Sequence, residues 1–117
     1  MLSAHPAIAR ISEIFPVVFA RNGADPNIGR RVPELFRQAG LCGVEAEATE
    51  RVYPKGHSRR VILLDLVQTM RPQVLELGLA SGAELDELDA AARAHLDDPH
   101  VVVMSHPFFL TWGRKPA

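Results

Sequence analysis

A chain of 117 residues supplies one domain or part of one, able to bury roughly two-thirds of its unfolded surface. Its 47% hydrophobic and 23% charged residues are ordinary for a globular protein in water. A formal net charge of −1 gives no global field to gather nucleic acid or an anionic membrane, so neither is an expected partner. The single cysteine, Cys42, excludes an intrachain disulfide and a thiolate zinc cluster.

Met1 to Pro6 contains no basic segment leading into an apolar one, so no secretory signal is expected. Apolar runs such as Val61 to Leu64, broken by Asp65, fall far short of a membrane span. These patterns predict a cytoplasmic chain with no membrane partner.

Pro6 suits the first turn of a helix, where its missing N–H costs nothing. Ile8, Ile11, Phe15, Val18 and Phe19 recur at helical spacing, and Pro16 predicts a kink or an end near Phe15. Arg21 to Pro26 reads as a turn. A second helix carries Ile28, Val32, Leu35, Phe36 and Ala39 on one side and stops at Gly40.

From Val44 to Tyr53 the chain alternates. Val44, Ala46, Ala48 and Val52 face one way, and Glu45, Glu47, Thr49, Arg51 and Tyr53 the other, which is the period of a half-buried strand. Pro54-Lys55-Gly56 ends it. Ser58 is the expected cap of a long helix that bends at Pro72 and closes at Gly78. Ser81 and Glu84 form a capping-box pattern ahead of a helix with Leu85, Leu88, Ala92, His95 and Leu96 on one face, ended by Asp97-Asp98-Pro99. Val101 to Trp112 is β-branched and aromatic and reads as a strand, in which Pro107 predicts a bulge or an edge position.

The stretch Asp25 to Phe36, followed by Ala39-Gly40-Leu41 and an alternating strand, and the closing Val101 to Met104 with Thr111-Trp112-Gly113-Arg114, resembles the C-terminal portion of small-molecule class I S-adenosylmethionine-dependent methyltransferases. The resemblance implies that the helix over 29–39 is the last major crossover helix of a Rossmann-like fold. Segments 44–53 and 101–112 then become its sixth and seventh strands, the latter antiparallel. The helices over 58–96 become an insertion on the substrate side, and the helix over 6–20 another substrate-side element. In that family a glycine-rich turn and an acidic residue hold the cofactor, and the dispersed glycines of this chain offer no such turn. The expected fold is α+β, a single unit over residues 1–117, with amphipathic helices packed on a small antiparallel sheet. S-adenosylmethionine is expected to bind only if a cofactor-binding half is supplied.

Two strands make a marginal sheet with both outer edges open, which predicts a homodimer or a complementary methyltransferase segment as partner. Candidate chemistry is sparse. No two of the five histidines have the i, i+4 spacing of a metal face, and Asp97 to His100 reads as a polar helix end rather than a ligand set. His57 and His106 are the nominees for a general base in methyl transfer. Phe15, Phe19, Met70, Phe108 and Phe109 are the nominees for an apolar pocket receiving a ring-bearing small molecule, against the plainer reading of core. Arg30 and Arg31 read as a solvated helix face, Cys42 as a small buried hydrophobe, and Trp112 as a buried anchor of the last strand.

Three functions follow. The first is the substrate-side part of a methyltransferase, inactive alone. The second is a non-catalytic dimeric module for a small molecule or protein. The third is an assembly partner that covers the open sheet edge of a full-length homologue.

Overall fold

The computed structural model describes residues 5–117. The amino-terminal reading rests largely on residues 1–4, which lie outside the described residues. Helix α1 spans Pro6–Arg21 and α2 spans Ile28–Gln38. Strands β1 (Cys42–Thr49) and β2 (Val52–Tyr53) follow, then a 3₁₀ turn at Ser58–Val61. Helices α3 (Ile62–Thr69), α4 (Arg71–Glu76) and α5 (Gly82–Leu96) lead to strands β3 (Val103–Met104) and β4 (Phe108–Arg114). The class is α+β with small antiparallel sheets.

Local signals explain most element ends. His5 caps α1 by accepting the Ala7 N–H at its Nδ1 (3.1 Å), with Pro6 at the first position. Gly40, at φ +91°, and Gly78, at φ +67°, end α2 and α4 by the same device. The next residue donates back over the last turn, Leu41 to the Phe36 carbonyl and Leu79 to the Val74 carbonyl, each at 3.1 Å. Ser81 Oγ accepts the Glu84 N–H at 3.1 Å, but the Glu84 carboxylate turns away to Arg10 at 3.5 Å, so the capping box is half made. His57, not Ser58, caps the 3₁₀ turn, its Nδ1 accepting the Arg59 N–H at 3.1 Å.

Helix α1 runs through Pro16 without ending at Phe15. Pro16 only withholds a donor from the Ser12 carbonyl, and the buried stripe of Ile8, Ile11, Ile14 and Val18 holds both halves of the helix on one core. That core lies between α1, α3, α4 and α5, with Leu64, Val67, Val74, Leu85, Ala92 and Leu96 opposite α1. Buried Tyr53 and Val103, cross-strand partners in β2 and β3, close one side of it.

A single charged side chain ties this body together. Arg60, 5% exposed, donates Nη1 to the Tyr53 carbonyl (2.9 Å), Nε and Nη2 to Leu96 (3.2 and 2.6 Å), and Nη2 to Asp98 and Val101 (3.2 and 3.1 Å). Its charge meets the negative end of α5, whose last carbonyls have no helical donor. Thus the 3₁₀ turn, β2, the end of α5 and the approach to β3 converge on one guanidinium.

Strands β1 and β2 pair with β4 and β3 as one antiparallel ribbon with a break. Thr49 faces Phe108 and Val52 faces Met104, so two residues, Glu50 and Arg51, lie opposite three, Ser105, His106 and Pro107. That mismatch is a bulge, where the spacing of Pro107 had predicted one. Arg51 is held across it, its N–H donating to Ser105 Oγ (2.9 Å) and its carbonyl accepting the Ser105 N–H (2.8 Å). The predicted strand over 44–53 is therefore two strands. Its far end also reverses expectation: Val52 is 62% exposed and Tyr53 is buried, because the helical body packs on the face opposite the one covered by α2.

Helix α2 lies on the β1–β4 half alone, with the Phe109 ring against Gly29. Phe109 pairs with Ala48 and Thr111 with Ala46, so the small residues of β1 line the covered face. The other face carries Phe108, Leu110 and Trp112 beside Glu45 and Glu47, with Leu110 58% and Trp112 41% exposed. Trp112 is therefore no buried anchor, since the helical body meets that face only at its Phe108 end. Cys42 is likewise exposed, at the far end of the ribbon.

Candidate functional site

The helical body and the ribbon meet along a cleft made of three adjoining cavities of about 190, 210 and 300 Å³. Phe15 and His106 line all three. Each arrives by a definite route. Phe15 is carried on the flank of the α1 stripe, stacked obliquely on Phe19 with ring centroids 4.4 Å apart. His106 sits at the centre of the bulge, where the extra residue takes its side chain out of the ladder's alternation. Pro107 next to it has no N–H to give the ladder, so the break costs little.

The smallest cavity is the most apolar. Tyr53, Ile62, Leu63, Leu66, Met104 and Phe108 wall it with Phe15, and Arg59, Ser105 and His106 supply the polar atoms. The 210 Å³ cavity passes Ser12, Phe15, Pro16 and Leu63 to Pro26 and Asn27. The 300 Å³ cavity continues over Gly29, Arg30, Pro107 and Phe109. Asp25 shapes that end. Its carboxylate accepts the Asn27 N–H and an Arg31 N–H, each at 2.8 Å, which fixes the entry into α2. The Arg31 hydrogen bond first, and the Asn27 hydrogen bond second, hold the Asp25 carboxyl below its ordinary pKa.

No acidic side chain lines any of the three cavities. Among the described residues, neither Arg59 nor Arg30 takes part in an ion pair, and the His106 ring makes no hydrogen bond within the chain. A separate, more open groove of about 500 Å³ runs over Lys55 to Ser58 and Arg93 to Asp97. Its guanidinium groups are already committed, Arg60 to carbonyls and Arg93 to Asp65 and Asp89 at 2.8 Å.

The residues nominated from sequence divide accordingly. Phe15, Phe108, Phe109 and His106 come together in the cleft. Phe19 sits behind Phe15, and Met70 packs on the core at the junction of α3 and α4, so neither lines it. His57 lies in the open groove, its ring stacked on Tyr53 at 4.7 Å and its Nδ1 used in capping. His57 and His106 therefore do not form a pair. Sequence reasoning missed Tyr53, Arg59, Ile62, Leu66 and Met104. The alternation set Tyr53 on the polar face, the reverse of its buried position, and nothing in sequence brings Arg59 and Arg30 to one cleft.

Among the described residues the glycines do not gather into a nucleotide-type loop. The positive-φ glycines Gly23, Gly40, Gly43, Gly56 and Gly78 are scattered. Gly56 alone stands between a strand and a helical turn, and that turn is four residues long. The described residues thus do not fit S-adenosylmethionine as a glycine-rich loop would. Among them, no group of three or more His, Cys, Asp or Glu side chains is placed to hold a metal ion, and no helix is long and apolar enough to cross a membrane. No family model, no curated protein and no solved structure matches this chain.

Proposed function

We propose that this chain is the substrate-side, C-terminal part of a class I methyltransferase acting on a small molecule, completed by a cofactor-binding segment that it does not itself provide. One observation carries the reading: a helix packs on one face of two antiparallel strands, and a helical insertion between those strands forms a cleft with α1 and the start of β4. The order α2, β1, insertion, β4 resembles the end of that fold, and both outer edges of the β1–β4 pair are free to continue a sheet. Within the cleft, His106 is the residue available to take a proton from an acceptor hydroxyl or amine, and the aromatic walls align the acceptor.

Calorimetry with S-adenosylmethionine tests the reading. The chain alone gives no saturable heat, and a stoichiometric complex with the cofactor-binding half of a class I methyltransferase binds one equivalent. Saturable one-to-one binding by the chain alone would overturn it, as would failure of every such half to associate. The exposed Leu110 and Trp112 favour one second reading, a self-associating binding module without catalysis. A homodimer by light scattering that keeps its mass when a cofactor-binding half is added supports that reading over the first.

A further inference from the structure

We infer that the cleft at Phe15 and His106 takes an aromatic molecule bearing an anionic group, with the ring in the apolar cavity and the anion on Arg59. The inference deepens the preceding reading by naming the ligand class, and rests on it only for the word substrate. Shape is the first support. A cavity of about 150 Å³ with apolar walls suffices for a benzene ring, and this one is about 190 Å³ and opens into two neighbours. Its walls supply Phe15, Phe108 and Tyr53, whose faces and edges pair with an aromatic guest at little ordering cost.

Charge is the second support. Arg59 shares that cavity with the aromatic walls and has no carboxylate partner, while acidic side chains are absent from the whole cleft lining. A guanidinium beside an apolar cavity presents a fork of donors suited to a carboxylate, and Arg59, exposed at the rim of the cavity, is free to turn that fork toward a guest. Arg30, at the other end of the cleft, reinforces the sign of the field without touching the ring cavity. A neutral aromatic gains the walls alone. An aromatic cation gains the walls and meets two guanidinium groups.

The test titrates the full chain with 1-naphthoate and with its neutral isostere 1-naphthamide by calorimetry, at low and at physiological salt. Wild type is expected to bind naphthoate about tenfold more tightly than naphthamide, with the preference shrinking as salt rises. Arg59→Gln should bring the two ligands within about twofold. Arg30→Gln should keep most of the preference. Leu66→Trp, at a half-exposed wall position, should fill the cavity and remove both ligands while circular dichroism stays native. Equal affinity of wild type for the two ligands would overturn the inference, as would a preference that survives Arg59→Gln but not Arg30→Gln. Absence of saturable heat from folded wild type would overturn it too. None of these arms uses S-adenosylmethionine or a second segment, so failure here leaves the methyltransferase reading to its own titration, and the converse holds.

Discussion

Replacing Arg60 with Met should be among the most damaging single changes in the helical body. The side chain satisfies four carbonyls, and two of them, Tyr53 and Leu96, are bonded in buried surroundings where water cannot substitute. An orphaned buried acceptor costs about 1–3 kcal/mol, so these two set a loss of about 2–6 kcal/mol. Asp98 and Val101 lie nearer solvent and add less. Met fills a similar volume and no longer requires a charge to be buried, which offsets part of the loss. A net destabilisation of about 3 kcal/mol is expected, equivalent to about 10–15 °C in melting temperature for a domain of this size. Arg60→Lys should recover no more than about half, because one ammonium cannot span four carbonyls spread over β2, the end of α5 and the loop before β3. Urea unfolding followed by far-ultraviolet circular dichroism reads the total. Amide exchange reads the location, with protection lost first at the end of α5 and in β2. An Arg60→Met variant within about 1 kcal/mol of wild type would refute the reasoning and reduce the guanidinium to a filler of space.

Two further changes probe the elements that frame the cleft. Gly29→Ala should destabilise by about 1–2 kcal/mol, although alanine is the better helix former by about 1 kcal/mol. The added Cβ would meet Phe109 Cδ2 at 2.7 Å and its Cγ at 3.3 Å, so the ring must move or α2 must lift. Urea unfolding of Gly29→Ala with and without Phe109→Leu checks it, the double variant being expected to recover part of the loss. Acid should loosen the start of α2. Asp25 is held below its ordinary pKa by Arg31 and then Asn27, so its contribution is present above the unfolded carboxylate value and is lost as pH falls through the lower, folded one. Carbon-detected titration of the Asp25 carboxyl should place its midpoint below that of an unstructured aspartate, and Asp25→Asn should remove the associated acid-induced shifts in Asn27 and Ile28. A midpoint at or above the unstructured value would contradict the hydrogen-bond geometry.

What was legible in the sequence was local, and what was not depended on a distant partner. Gly40 and Gly78 stop helices because a positive φ is cheap only for glycine, and Ser81 caps α5 because its hydroxyl reaches a free N–H three residues on. Pro107 announced the bulge for the same kind of reason. Pro16 does not end α1, since the cost of one missing hydrogen bond is decided by the core beneath the helix and not by the helix itself. The exposure of Trp112 and the reversal at Val52 and Tyr53 were hidden because period two says that faces alternate, never which face is covered. Within the cleft, Phe15, Phe108 and Phe109 were legible from composition and His106 from its apolar neighbours, whereas Tyr53 was not. Arg59 and Arg30 lie 29 positions apart in sequence and enter one cleft only through tertiary packing.

The shape of the molecule bears on what it does. A compact chain of this length has a radius of gyration of about 13 Å, whereas this one has 17.4 Å and extents of 58 × 35 × 19 Å. The excess lies in the ribbon, where α2 buries none of its residues and β4 leaves Leu110 and Trp112 on an uncovered stretch. Ordering such an arm costs backbone entropy that so little burial does not return. The helical body, by contrast, is closed by a continuous apolar core and by Arg60. The cleft lies at the junction of these two parts, with Phe15, Ile62 and Leu63 from the body and His106, Phe108 and Phe109 from the ribbon. An occupant of the ribbon's open face would therefore also fix one wall of the cleft, and ligand affinity should rise when that face is occupied. Naphthoate affinity measured with and without a bound cofactor-binding half reads that coupling directly, and an unchanged affinity in the complex would separate the cleft from the ribbon's open face.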